Sequence, residues 1–134
     1  GDGPHRETIF ARMKSDGLRQ MTSMPGSFGL LDDVFLAADL MVHCGDEGYE
    51  HQIPTAISAA LPLVLANTQT ARNFFSISDQ QVREQIIDKR SDIDQTQIDR
   101  QDRPGDLVWW IDPDRPKTLR WAIRQIVGNL ELAR

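Results

Sequence analysis

Residues 40–66, LMVHCGDEGYEHQIPTAISAALPLVLA, decide the fold. Leu40-Met41-Val42-His43-Cys44 at one end and Leu61-Pro62-Leu63-Val64-Leu65-Ala66 at the other are short, continuous apolar runs. Such runs mark strands buried on both faces, whereas a half-exposed strand alternates apolar and polar residues. Between them, Gly45 to Ile53 is a polar, charged loop and Pro54 to Ala60 reads as a helix. Pro54 suits the first helical position, where the N–H it lacks would be an orphan donor anyway. Pro62 is tolerated at the start of its strand and nowhere deeper. Strand, helix and strand in this span make the βαβ unit of a parallel sheet.

The rest of the chain extends the unit in both directions. Gly1-Asp2-Gly3-Pro4 leads into a helical pattern through about Gly17, with Ile9, Phe10 and Met13 as its apolar stripe and Gly17 as its C-cap. Gln20 to Met24 reads as a short strand closed by the turn Pro25-Gly26. Leu30 to Ala38 follows as a helix, using Leu31, Val34, Phe35 and Ala38, with Asp32 and Asp33 favouring its first turn through the helix dipole. After Ala66 the βα rhythm breaks. A polar stretch at about 75–106 reads as an insertion, with a helical core Gln80 to Ile87 and a charge-dense segment Asp88 to Arg103 of both signs, predicted exposed and solvated. Leu107 to Ile111 returns as a strand, and Pro116 to Val127 is an amphipathic helix built on Leu119, Ile123, Ile126 and Val127, capped by Gly128, with Leu130-Glu131-Leu132 trailing beyond it. Trp109 and Trp110 must point to opposite faces of their strand.

Composition removes several classes of function. With 134 residues, 40% of them hydrophobic, the chain is long enough for one core, and it reads as a single domain. Fifteen basic against twenty acidic residues give a net charge of −5, which argues against the basic stripe of a nucleic-acid binder. No apolar run reaches the roughly 18 residues of a membrane span. The lone cysteine, Cys44, excludes an internal disulfide and a cysteine zinc cage, implies a reduced cytoplasmic compartment, and reads as a small buried hydrophobe. His5, His43 and His51 share no metal-ligand spacing, so no metal site is expected; His43 reads as a packed core residue.

The order of these pieces resembles the donor-binding domain of group 1 (family 4) glycosyltransferases, which have the GT-B fold. The resemblance is carried by the Gly1–Pro4 turn and its helix, by Met24-Pro25-Gly26, and by Leu31 to Leu40 as a helix leading into a strand. Glu47-Gly48-Tyr49, then the helix Pro54 to Ala60 and strand Leu61 to Ala66, resemble that family's acidic loop and its sequel. Leu107 to Val127 is similar to its last strand and helix. The likeness spans nearly the whole chain except Phe74 to Asp106.

The resemblance implies a three-layer, Rossmann-like parallel sheet, the later part of a GT-B C-terminal domain, in a protein that transfers a hexose-like sugar from a nucleotide-sugar donor with retention of configuration. It implies no metal and no cofactor beyond the donor itself. It implies an acceptor, a sugar or glycolipid, held by an N-terminal domain preceding Gly1, where an arginine–lysine pair would neutralise the donor diphosphate. The location implied is cytoplasmic, with contact to the inner membrane face made through that other domain. Glu47 takes the place of the family's first signature glutamate, which contacts the donor sugar, so it is the catalytic candidate. Gly48 and Tyr49 follow as in the family, and Gly1 and Gly3 suit either a close backbone approach to phosphate or a plain tight turn.

The second signature glutamate, which holds the nucleotide ribose, falls on Thr55. A hydroxyl there still hydrogen-bonds a ribose, but a charge-assisted carboxylate bond is roughly twice as strong. Glu50 and Gln52 are the candidates to replace it, and His51 is a further candidate for a sugar hydroxyl. On the residues alone, Glu47 and Glu50 read equally as ordinary loop carboxylates. Thr55 also fits a different class of protein, a non-catalytic binding or scaffold module descended from the same fold. A location past a strand end favours the functional reading, because open parallel sheets bind ligands at the carboxyl ends of their strands. The free N–H groups of a helix starting at Pro54 are expected to face the same crevice.

Overall fold

The computed structural model describes residues 3–26, 32–91 and 108–132. The chain divides into two compact units, Gly1–Leu31 and Asp32–Arg134.

In the first unit, α1 (Arg6–Ser15) opens with the Arg6 N–H on the Gly3 carbonyl at 3.0 Å. It closes as the sequence predicts. Gly17 adopts the left-handed region at φ +69°, and Leu18 N–H reaches back to the Met13 carbonyl at 2.9 Å. This double turn satisfies carbonyls that a helix end would otherwise orphan. The predicted strand Gln20–Met24 does not form. Arg19–Met21 is a short 3-10 turn, and the Met24 carbonyl is taken at 2.7 Å by the Arg6 guanidinium instead of by a neighbouring strand. A strand exists only where a ladder partner satisfies its backbone, and none is present among the described residues of this unit.

The second unit is a small three-stranded parallel sheet flanked by helices. Its elements are α2 (Asp32–Ala37), β1 (Met41–His43), α3 (Gln52–Ser58), β2 (Leu63–Ala66), α4 (Gln69–Phe75), α5 (Asp79–Ser91), β3 (Val108–Ile111) and α6 (Pro116–Leu132). The strand order is β1-β2-β3, with Val42 beside Val64 and Val64 beside Trp109. Every residue of the central β2 is buried, as a strand covered on both faces requires. β1 departs from that expectation: it pairs only with β2 among the described residues, and Val42 remains 40% exposed. Cys44, just past β1, is exposed rather than buried.

Side-chain alternation distributes the core over two faces. Val64, Ala66 and Ile111 pack with Ala122 and Ile126 of α6, and Trp109 meets Trp121 edge to face at 5.5 Å. Trp110 points the other way, where Phe75 at the end of α4 meets it at 5.8 Å. The two tryptophans therefore serve opposite faces, as predicted. On α6 the buried stripe uses Ala122 and Ile126, while Val127 is 40% exposed. Gly128 does not cap this helix, which runs through it to Leu132. A mid-helix glycine costs only about 1 kcal/mol, less than the tertiary packing of the stripe returns.

In the predicted insertion, the helical core expected over Gln80 to Ile87 forms as part of α5 (Asp79–Ser91), while α4 (Gln69–Phe75) was not expected. Residues 92–107, most of the charge-dense segment, lie outside the described residues.

Candidate functional site at the carboxyl ends of the strands

The loop after β1 carries most of the residues singled out by the sequence. Its geometry turns on Gly48, which sits at φ +85°. That conformation aims the Gly48 carbonyl at the start of α3, where it accepts from Gln52 N–H at 2.8 Å, Ile53 N–H at 3.1 Å and His51 N–H at 3.3 Å. One carbonyl therefore gathers the first donors of the helix. This is why α3 starts at Gln52, two residues before Pro54, and why the expected free N–H groups are absent. Pro54 has none, and Thr55 N–H bonds the His51 carbonyl at 3.1 Å. The start of α3 is not an anion cradle.

Glu47 and Glu50 are exposed, and so is His51. Glu47 has no hydrogen-bond or ion-pair partner among the described residues. Thr55 is half-buried, and its hydroxyl donates to the His51 carbonyl at 2.7 Å. Such a bond to the fourth preceding residue is a common resting place for a helical threonine. It leaves the oxygen lone pairs, not the proton, for any further partner. Glu47, Gly48, Tyr49, Glu50, His51 and Thr55 thus belong to one loop and the helix it opens. Gly3 belongs to the other unit, and Gly1 lies outside the described residues.

Tyr49 behaves differently from its neighbours. It is 6% exposed, with its ring edge-on to His43 at 5.2 Å and tilted against Phe74 at 5.5 Å. Phe74 meets Phe75, which meets Trp110, so an aromatic run crosses the carboxyl ends of the sheet from β1 to β3. Burial pushes the Tyr49 phenol above its ordinary value. The Thr68 hydroxyl stands beside it and opposes the rise, yet the phenol oxygen finds no hydrogen bond of proper geometry. His43 Nε2 is likewise buried and unpartnered. His43 is therefore packed, as expected, but packed at the mouth of the strands with a polar atom left over.

Asp46 is an exposed residue of the same loop. The Thr68 and Thr70 hydroxyls hold its carboxyl below the ordinary aspartate range. Thr68 is also the N-cap of α4, accepting from Ala71 N–H at 3.2 Å. The acidic loop and the start of α4 thereby share one polar seam. Sequence reading missed α4 and with it this seam. The signal available was Thr68 as a capping residue ahead of a short helical stretch.

A second polar feature follows β2 and β3. Asn67, Arg72, Asp79, Arg83, Ile86, Asp112, Pro113 and Asp114 line an open cleft of about 330 Å³. Most of its charged side chains are already paired. Arg72 donates to Asn67 Oδ1 at 2.6 Å and Gln69 Oε1 at 2.8 Å, while Asp79 accepts from Asn67 at 2.8 Å and Arg83 at 2.6 Å. The network ties the end of β2 to α4 and α5.

No protein family, curated protein or solved structure matches this chain. Among the described residues, no helix is long and apolar enough to cross a membrane, and no cluster of histidine, cysteine and carboxylate side chains is arranged to hold a metal ion.

Proposed function

We propose that this chain is the donor-binding part of a retaining GT-B glycosyltransferase, whose crevice at the end of β1 takes a nucleotide-sugar. On this reading the two covered faces of the sheet belong to a three-layer, Rossmann-like domain, and α2–β1–α3–β2 and β3–α6 are its later βα units. One observation carries the proposal. Glu47 is an exposed carboxylate with no partner among the described residues, on a loop fixed by Gly48 at φ +85° and by the buried Tyr49, past the end of a parallel strand. Parallel sheets offer their ligand sites there. A carboxylate held in that place accepts hydrogen bonds from the hydroxyls of a bound sugar and orients its anomeric carbon. The diphosphate leaving group needs cationic or N–H donors, and α3 does not supply them. On this reading they come from the preceding part of the protein, together with the acceptor site.

The occupied hydroxyl of Thr55 favours a second reading, in which the fold is kept as a binding or scaffold module without transfer chemistry. Labelled-sugar transfer separates the two. The 134 residues alone should transfer nothing, while the protein extended through its acceptor domain should. In that extended protein Glu47→Ala should lower kcat/KM at least tenfold with its melting temperature unchanged, and Thr55→Glu should raise donor affinity. An extended protein that neither transfers nor hydrolyses any nucleotide-sugar would leave the scaffold reading standing.

A further inference from the structure

We propose that Tyr49 and His43 form an inner subsite that recognises a hydroxyl group of a neutral sugar ring. The inference rests on reading the β1 crevice as a sugar site, and names the groups at its foot that meet the ring. Tyr49 is 6% exposed, and its hydroxyl is buried without a hydrogen bond, as is His43 Nε2. A phenylalanine at 49 would keep the ring contacts to His43 at 5.2 Å and Phe74 at 5.5 Å while removing an unpaired polar atom. Buried polar groups that lack partners cost stability. The hydroxyl is thus a liability in the unliganded fold, and it acquires a use when a ligand pairs with it.

The chemistry of the surroundings selects the ligand. A phenol hydroxyl donates and accepts, and a neutral imidazole nitrogen does one or the other, so the complementary group must do both. A hydroxyl does. Asp46, whose carboxylate the Thr68 and Thr70 hydroxyls keep charged, repels phosphate and carboxylate groups but accepts from an O–H. Phe74, 40% exposed and tilted against Tyr49, adds an apolar wall. An aromatic wall beside hydroxyl-binding groups fits a pyranose, which has an apolar C–H face and polar edges. Phe74 lies in the last turn of α4, two residues before Ser76 in the left-handed region at φ 53°.

The test uses the intact chain. Methyl α-glucoside and methyl α-mannoside are titrated while NMR follows the His43 imidazole and Tyr49 ring signals, and nucleotide-sugars are titrated separately into the protein extended through its acceptor domain. One of the glycosides should give saturable shifts at both residues. Tyr49→Phe should weaken that binding at least fivefold while leaving the melting temperature equal or higher. His43→Phe is the second variant, since its site on the edge strand tolerates a ring of similar size, and it should weaken binding likewise. Absence of saturable shifts, unaltered glycoside binding in both variants, or a lower melting temperature for Tyr49→Phe overturns the subsite. Absence of any nucleotide-sugar binding by the protein extended through its acceptor domain, with the glycoside shifts retained, counts against the nucleotide-sugar reading and leaves the subsite standing.

Discussion

Replacing Gly48 by alanine probes the geometry on which the candidate site depends. At φ +85° an L-residue enters the left-handed side of conformational space, which costs roughly 1–2 kcal/mol. The new Cβ would also stand 2.8 Å from Gln52 Oε1, 3.0 Å from its Cδ and 3.4 Å from its Cβ. Only the far end of that side chain swings away freely, so Gln52 must leave its rotamer at about 0.5–1.5 kcal/mol. The two contributions sum to about 1.5–3.5 kcal/mol of lost stability. For a chain of this size that is a fall in melting temperature of roughly 6–14 °C, at about 4 °C per kcal/mol. Urea unfolding measures it directly, with the m-value checking that the transition keeps its character. Repeating the change in a Gln52→Ala background isolates the steric part. There the cost should drop to the backbone contribution of about 1–2 kcal/mol. A Gly48→Ala chain within about 0.5 kcal/mol of wild type would refute the reasoning, since a surface loop glycine without special geometry behaves that way.

Three other outcomes follow from the same structure. Gly128 has open space where a Cβ would go and lies inside α6, so Gly128→Ala should stabilise by about 0.5–1 kcal/mol in urea unfolding. Ala60 ends α3 at φ +54°, with Ala60 N–H on the Ile57 carbonyl and Leu61 N–H on the Ala56 carbonyl, a turn that favours glycine; Ala60→Gly should gain roughly 0.5–1 kcal/mol. The Arg83 guanidinium, then Asn67, hold the Asp79 carboxyl below its ordinary value. Its contribution is therefore complete above the unfolded-state pKa of about 4 and is lost as pH falls from there through the lowered folded-state value. Asp79→Asn should flatten that part of the stability-versus-pH curve, and an unchanged acid limb would contradict the assignment.

The buried heart of the fold was legible because hydrophobic burial writes itself into the chain. Leu63-Val64-Leu65-Ala66 and Val108–Ile111 form strands within a residue or two of expectation, and Trp109 and Trp110 divide between faces by alternation alone. Elements at the margin were less legible. β1 looked like a central strand because apolar content does not reveal whether a neighbour lies on its far side. Gln20–Met24 had strand-like residues but no ladder partner, and Arg6 took its terminal carbonyl instead. Gly128 resembled a stop signal, yet packing at Ala122 and Ile126 carried α6 onward. At the candidate site, Glu47-Gly48-Tyr49 stood out only through a family resemblance, not through a pattern of their own. The capture of three N–H groups by the Gly48 carbonyl depends on a dihedral angle, and the Asp46–Thr68 seam joins residues 22 positions apart. Neither is encoded in a local pattern.

The central claim is that the crevice past β1 holds a nucleotide-sugar through Glu47. Calorimetric titration of a nucleotide-sugar panel into the protein extended through its acceptor domain and into its Glu47→Ala variant, with melting temperatures measured alongside, tests it most directly. A charge-assisted hydrogen bond contributes about 1.5–3 kcal/mol, so the variant should bind at least tenfold more weakly. Its stability should stay within about 0.5 kcal/mol of wild type, because an exposed side chain leaves neither cavity nor unpaired partner. Equal affinity in the two proteins, a Glu47→Ala variant that unfolds, or an extended wild-type protein that binds no member of the panel would contradict it.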